Sequence, residues 1–483
     1  METRTGKKRG KPARFLLVLF AVLIVAAAGA GIYIYTILHQ DTFFSGVYVD
    51  DVNLDTLTYQ QAINAITEKN QSQIDEIHIQ LTDGEHAWNY GAADIHARIN
   101  VEETVDQAWG VGREGSVFKR LSDVRATQNE PVRYYTQLTY DVAELKDEIE
   151  AIGREIYLEP IDATIEFHQG EDPLFTFTSE QVGQQLMVDE TIAELMERVD
   201  NKQYGEMTLP IEELPPARFE SELKTWTTKV ASFRTELHEN ADRTYNVKLS
   251  SSAYDGLVLQ PGEVFSLNDT TGPRDKAHGY RDADVIVGGK KLEPAPGGGN
   301  CQTATTLYGA AVRADMEIVE RYPHSFPSSY TEVGQDATVN YPYADIKIKN
   351  NKDTPLFFDR YFEGAWICVD IYGKVPTDFD EIKLETVILD WGDIPEPTMV
   401  ADANLRVGVK EEEYKSRRYI KCETYRIYIK DGEEIKRTFE ATSKYSQVVG
   451  LTRVGTRMPD GTVVSLEQAL NPAPPSPTPT PAP

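Results

Sequence analysis

The sequence predicts an α+β protein of several domains: a single N-terminal transmembrane helix, duplicated α+β modules, a mixed α/β domain and a C-terminal β-rich unit. Three observations carry that expectation. The 483 residues exceed what one hydrophobic core organises. The patterning changes along the chain, from helical spacing mixed with short alternating runs, through turn-rich segments, to long alternating strands. Phe15 to Leu38 is a run of 24 uncharged residues, long enough as a helix to cross a bilayer.

The chain is 40% hydrophobic and 26% charged, the balance of globular domains. A formal net charge of −28 excludes a nucleic-acid partner, whose phosphates demand a basic face. It also repels anionic head groups, so attachment to a membrane must be hydrophobic. Arg4, Lys7, Lys8, Arg9, Lys11 and Arg14 precede the apolar run, and the next basic residue is Lys69. That asymmetry places 1–14 as a cytoplasmic basic tail, 15–38 as a transmembrane anchor of the cell membrane and the bulk on the extracytoplasmic side. A cleaved signal peptide is the alternative, since Ala26 to Ala30 offers small residues to a peptidase. The apolar run continues past them to Ile37, beyond the usual signal core.

Two α+β modules are expected next, at 44–130 and 131–215. The first reads YQQAINAITEKN, IHIQLTDGEHAWNY and INVEETVDQAWGVG; the second reads YDVAELKDEIEAIG, ATIEFHQGEDPLFTF and LMVDETIAELMERV. Each is a helical pattern, two strands around a turn at Gly84 or Gly170, and a helix opened by acidic residues. From 218 to 375 Gly, Pro, Tyr and Asn cluster, as in LQPGEVFSLN and VGGKKLEPAPGGGN, the texture in which sites are built. Within it ATVNYPYADIKIKNN and PLFFDRYFEGAWICVDIYG alternate as antiparallel strands. Residues 380–457 form a strand-rich unit with a hairpin signal at Asp431-Gly432. The tail 471–483, NPAPPSPTPTPAP, is an extended Pro/Thr-rich segment.

The third region carries a set of spaced motifs. They are Arg243 and Asn246 in NADRTYNV, PGEVFSLN from Pro261, Gly279-Tyr280, and the glycines Gly297, Gly298 and Gly299. Cys301-Gln302, TTLY from Thr305, EIVERYPHSFP from Glu317 and DATV from Asp336 follow. On these residues the region resembles the VanW family of envelope proteins, named for an accessory gene product found beside vancomycin-resistance enzymes. Asn300 departs from the pattern, which has an aliphatic residue before the cysteine. The region 44–215 resembles the peptidoglycan-binding module that often precedes VanW domains. The last unit is similar to a G5-type domain, closing on VGT at Val454 to Thr456. The resemblance implies peptidoglycan or its stem peptides as partner, other envelope proteins as further partners, and a link to glycopeptide resistance. It supplies no activity, so chemistry rests on the residues.

Pro296 and three glycines cannot lie inside a helix, so a helix is expected to start near Cys301 and run through CQTATTLYGAAVRADMEIVER. Ala304, Leu307, Tyr308, Ala311 and Met316 form its apolar stripe. A first-turn thiol at the positive end of the helix dipole favours the thiolate. The glycines would leave the sulfur open to substrate, and loop N–H groups would form an oxyanion hole. His324, between two prolines at the helix-to-loop exit, is the best proton acceptor; His238 and His278 lie in no motif. Asp336 or Gln302 would orient its ring, or Gln302 would donate to the oxyanion. The order Cys, His, Asp is similar to that of papain-like hydrolases, at the level of analogy. Gly297, Gly298, Gly299, Thr305, Thr306, Tyr308, Glu263 and Arg243 are the candidate binding residues of the cleft, with Glu263 alternatively capping a turn.

The opposing reading makes Cys301 a small buried hydrophobe, His324 a partner for loop carbonyls, and the threonines back-bonded helix residues. Cys368 and Cys422, both in strand-like runs, pack or pair. No Cys/His spacing fits zinc and GGGN lacks the lysine of a phosphate loop, so no metal and no cofactor is expected. Two functions therefore stand: a non-catalytic binding protein at peptidoglycan, and a Cys/His-dependent enzyme of acyl transfer or amide hydrolysis on stem peptides.

Overall fold

The computed structural model describes residues 12–141, 143–237 and 240–471; most of the basic tail, the Pro/Thr-rich segment from 472 and His238 lie outside the described residues. The first helix, Pro12–Leu38, contains Phe15–Leu38, long and apolar enough to cross a membrane, and its apolar side chains are almost all exposed. The chain then divides into two compact units, residues 1–160 with 182–215, and 161–181 with 216–483.

The first unit has two cores that interleave along the chain. Phe43, Val47, Val49, Leu54, Ala62, Ile66, Val101 and Val105 form one. Its helix Tyr59–Asp75 begins with Thr58 and Gln61 in a reciprocal capping box, which satisfies two otherwise orphaned N–H groups. Ile77, Ile79, Leu81, Ile149, Ile152, Leu195, Val199 and Met207 form the other. Here Gly205–Thr208 pairs in parallel with His78–Thr82, which pairs antiparallel with Ala87–Gly91. The division expected at 130/131 does not follow this packing, because the strands around Gly84 bury their apolar faces under helices from the later half. The hairpin Thr164–Phe167/Phe175–Thr178 belongs to the second unit, so it does not share a core with the helices that flank it in sequence. There Phe167 and Phe175 pack against Phe357.

In the second unit a four-stranded sheet runs Thr228–Glu236, Trp366–Gly373, Leu356–Glu363, Val258–Leu259. The helix Asn300–Arg313 lies on it so closely that a Cβ at Gly309 would sit 2.2 Å from the Phe233 ring. Tyr254, Leu307, Tyr308, Ala311, Met316, Phe358 and Val369 share the core beneath. The helix ends at Arg313, earlier than the sequence suggested. Asp315 takes a left-handed φ of 54°, and Glu317–Glu320 turns out as a strand paired with Lys347–Lys349. His324 therefore follows a strand, not a helix. β-branched Ile318 and Val319 gain more from a ladder than from a helix end.

Beyond 380, Glu381–Trp391, Ile420–Lys430 and Glu433–Tyr445 form an antiparallel sheet, with the tight turn at Asp431-Gly432, both residues at positive φ. Thr398–Arg406, Leu451–Arg457 and Lys410–Tyr414 form another sheet. Arg426 joins the first of these to the segment after the site helix: its Nη1 donates to the Met316 carbonyl at 2.9 Å and pairs with Asp315 at 3.3 Å, while its Nε pairs with Glu440 of the same sheet at 2.5 Å.

Candidate active site

The hairpin Asp282–Val287/Lys291–Pro296 delivers the chain into the glycine loop. Gly297 and Gly299 adopt φ of 89° and 111°, a region that favours glycine, and a Cβ on Gly298 would sit 2.4 Å from the backbone of Ala283. The loop is thus a backbone crossing, filled from below by Arg243, Val247, Arg274 and Ala283, rather than an open approach to the sulfur. Buried Asn246 ties it down, donating to the carbonyls of Arg281 and Gly298, both at 2.9 Å. Asn300 donates to the Gly297 carbonyl at 2.8 Å, a fastening no aliphatic residue could supply.

Gly299 is the N-cap, so Cys301 falls in the first helical turn. One turn on, Thr305 occupies the same face. Its hydroxyl accepts from the Ala337 N–H at 2.9 Å and donates to the Ala337 carbonyl at 3.0 Å, pinning the 336–339 segment against the helix. Thr338 then places its hydroxyl 3.2 Å from the Cys301 sulfur. The same segment is bridged antiparallel to Tyr322, with Thr338 N–H donating to the Tyr322 carbonyl at 2.8 Å. That register sets residue 324 opposite residue 336.

The result is one chain of interactions. Asp336 Oδ2 accepts from the His324 backbone N–H at 2.7 Å and sits 2.5 Å from His324 Nδ1. This leaves Nε2 free of Asp336, with the Tyr330 hydroxyl 3.4 Å away and Cys301 as a further side-chain partner of the ring. His324 and Asp336 are 5% and 1% exposed, whereas Cys301 retains partial exposure. Burial opposes ionisation of the thiol, yet His324, Thr338 and the Val339 backbone outweigh it and hold Cys301 down at about 6. Burial likewise opposes charge on His324, but Asp336 and Cys301 raise it well above its ordinary value. For Asp336, burial raises the pKa, and it is outweighed by His324, Arg321 and Tyr445, which hold the carboxylate down. At neutral pH the site is a thiolate–imidazolium–carboxylate array.

The carboxylate is itself held from outside. Arg321 donates to the Asp336 carbonyl at 2.6 Å and to Oδ1 at 3.2 Å, and the Tyr445 hydroxyl donates to Oδ1 at 2.5 Å. Tyr445 comes from the C-terminal sheet, as does Ser443, which accepts from Arg321 at 2.8 Å.

Of the residues picked out in the sequence, Cys301, His324 and Asp336 come together. Gln302 does not orient the ring: it is fully buried, accepts from Arg243 at 3.1 Å, and spends Nε2 on Thr235 and the Glu236 carbonyl. Thr305, Thr306 and Tyr308 are fully buried and line no cleft; Thr306 meets Thr235, and the Tyr308 hydroxyl reaches Glu440. Glu263 caps its own turn through the Gln260 N–H. Cys368 and Cys422 are free and buried, not paired. Sequence reasoning missed Tyr330, Thr338, Arg321 and Tyr445. Arg321 and Thr338 lie inside the quoted motifs and were legible as polar residues flanking His324 and Asp336.

Residues 242–372, which contain the array, match the family model "VanW like protein". The chain carries a VanW-like domain. Residues 88–207 match "Putative peptidoglycan binding domain". The chain is 29% identical over 229 residues to the uncharacterized protein YoaR of Bacillus subtilis (strain 168), covering 47% of this chain and 73% of that protein. It is also 29% identical over 145 residues to the vancomycin B-type resistance protein VanW of Enterococcus faecalis (strain ATCC 700802 / V583), covering 28% of this chain and half of that protein. The crystal structure of HP0197-G5 aligns with 16% of the chain at 16% identity and a TM-score of 0.10. Asp336, His324 and Cys301 all fall inside the VanW-like domain, while the hydroxyl that steadies Asp336 comes from beyond its C-terminal limit.

Proposed function

We propose that this is a cell-wall-associated protein whose VanW-like domain is a cysteine-dependent acyl-transfer enzyme acting on amides of peptidoglycan stem peptides. The observation that carries the reading is the Cys301–His324–Asp336 array with its thiol held down and its imidazole held charged. A structural cysteine needs neither. The Cys301 thiolate attacks the amide carbonyl carbon, forming a C–S bond. The C–N bond breaks as His324 Nε2 gives its proton to the departing amine. Water or an acceptor amine, deprotonated by the now neutral imidazole, attacks the thioester and returns the thiol. The N–H groups of Asn300, Gln302 and Thr303 are already donated to the Gly297 and Gly299 carbonyls, so a developing oxyanion would be met by the Cys301 N–H. The module matched at 88–207 supports the wall as the place of action, and the Phe15–Leu38 helix supports anchorage at the outer face of the membrane.

The test is incubation of the full-length protein, in detergent, with purified sacculi and soluble muropeptides, followed by mass spectrometry. Expected are new stem-peptide products with the wild type and none with Cys301→Ala, with loss of roughly a hundred-fold or more for His324→Ala. Binding of sacculi by both forms without any product would instead establish the non-catalytic reading.

A further inference from the structure

Beside the array stands a cation that the mechanism does not use. Arg274, in TTGPRDKAHGY, is packed under the glycine loop: a Cβ on Gly297 would lie 3.0 Å from its carbonyl oxygen and 3.1 Å from its Cβ. Its guanidinium donates from Nη1 to Asn268 Oδ1 at 2.6 Å and has the Tyr280 hydroxyl beside it as a further side-chain partner. Asn268 is immobilised in turn, its N–H donating to Asp345 and its amide to the Ala344 carbonyl, both at 2.9 Å. The other edge, Nε and Nη2, is buried and has no hydrogen-bond partner.

A buried guanidinium edge without an acceptor is costly, and Nε with Nη2 is an edge that takes a carboxylate side-on through two parallel bonds. No carboxylate among the described residues fills that place. Among the described residues no ion pair reaches Arg274. Asp345, an acidic group within reach of its charge, spends its oxygens on Ser266, Asn268 and the Ile346 N–H. The groups whose charge the guanidinium senses are Tyr280, Cys301 and Asp345. Cys301 is thus within reach of its charge, yet His324, Thr338 and Val339, not Arg274, hold the thiol down.

We propose that Arg274 is the specificity residue of the site and receives the free C-terminal carboxylate of the substrate peptide. The attacked amide is then the one joining the last residue to the chain. This inference rests on the acyl-transfer reading. In the balanced step the penultimate residue becomes the thioester on Cys301, and the released product is the terminal amino acid, its amine protonated by His324 and its carboxylate still on Arg274. Water completes a carboxypeptidase reaction, and an acceptor amine completes a transpeptidation.

The experiment compares one synthetic stem peptide as free acid and as C-terminal amide, using the full-length protein. Turnover is followed in the wild type, Arg274→Gln and Arg274→Lys, and binding in the Cys301→Ala background by calorimetry. Expected is a preference for the acid of roughly ten- to hundred-fold in the wild type, abolished in Arg274→Gln and partly kept in Arg274→Lys. Equal use of acid and amide by the wild type, or an undiminished acid preference in Arg274→Gln, overturns the assignment and leaves acyl transfer standing. Selective, Arg274-dependent binding of the acid with no turnover sinks acyl transfer and leaves the carboxylate site standing. The pH midpoint of Cys301 alkylation separates the roles. It stays put in Arg274→Gln if the residue serves substrate, and a rise without acid selectivity would make Arg274 a thiolate partner and overturn the proposal.

Discussion

Cys301 owes its character to three neighbours from two later segments, and its titration reads them directly. A thiol held at about 6 is mostly thiolate above that pH and becomes protonated below it, so alkylation should rise with pH around a midpoint near 6. Removal of the imidazole in His324→Ala takes away the chief lowering influence and leaves burial, which raises the pKa. The midpoint should then move above the free-thiol value of about 8.5. Asp336→Asn should raise it less, through a His324 that loses its charge more readily. Alkylation of the full-length protein, mapped by peptide mass, measures all three. Cys368 and Cys422 stay silent, since both are buried and burial pushes their thiols up. A wild-type midpoint at 8.5 or higher would remove the basis for a nucleophile. At this scale the sequence was informative where chemistry is local: one cysteine after glycines, one histidine between prolines, one aspartate in a short motif. It was blind to Tyr330, which approaches His324 only after the 325–335 loop has folded. It also misjudged Gln302, whose neighbour in sequence is Cys301 but whose side chain is spent on the Thr228–Glu236 strand.

The elements explain why the array is rigid. Two grips, Thr305 on Ala337 and the Tyr322–Thr338 bridge, fix the 336–339 segment between the site helix and the Glu317–Glu320 strand. The remaining side is closed by the C-terminal sheet, where a Cβ on Gly334 would meet Thr424 Oγ1 at 2.7 Å. Tyr445 is the point of contact, giving its proton to Asp336 and accepting from the Gly334 N–H at 2.7 Å. Tyr445→Phe keeps the ring but strips both bonds from buried partners. It should lower stability by about 1–3 kcal/mol. Because the phenol helps hold the Asp336 carboxylate ionised, its loss should also weaken the charge on His324 and lower kcat more than it changes KM. Thermal unfolding together with product kinetics checks both halves, and a variant with wild-type melting and turnover would show that the sheet merely abuts the site. The paired hairpin from 420 to 445 was legible, through its alternation and the Asp431-Gly432 turn. Its role was not, because no local pattern links residue 336 to residue 445. The helix end was missed for a related reason: the apolar spacing continues through Met316, and only the ladder with Lys347–Lys349 makes a strand of the residues after it.

At the scale of the whole chain, the sequence conveyed an apolar first helix, mixed modules and a strand-rich end, but not how cores are shared. Ile79 and Leu81 read as the middle of one module and pack with Leu195 and Val199, since a parallel pairing with Gly205–Thr208 recruits residues far along the chain. The first helix raises the remaining question, anchor or leader. Phe15–Leu38 has a mean hydropathy of 2.8, and a run of that length in water costs far more than its insertion in lipid. The strongly acidic chain beyond Leu38 has no electrostatic hold on an anionic leaflet. Any retention at a membrane would therefore rest on this helix and the basic residues before it. If it is kept, the protein should stay with the membrane pellet through high-salt and alkaline carbonate washes, leave it only with detergent, and yield peptides from residues 15–38 on mass analysis. Release by carbonate, with a new N-terminus near Ala30, would instead show a cleaved leader and a protein that depends on its peptidoglycan-binding domain to reach the wall.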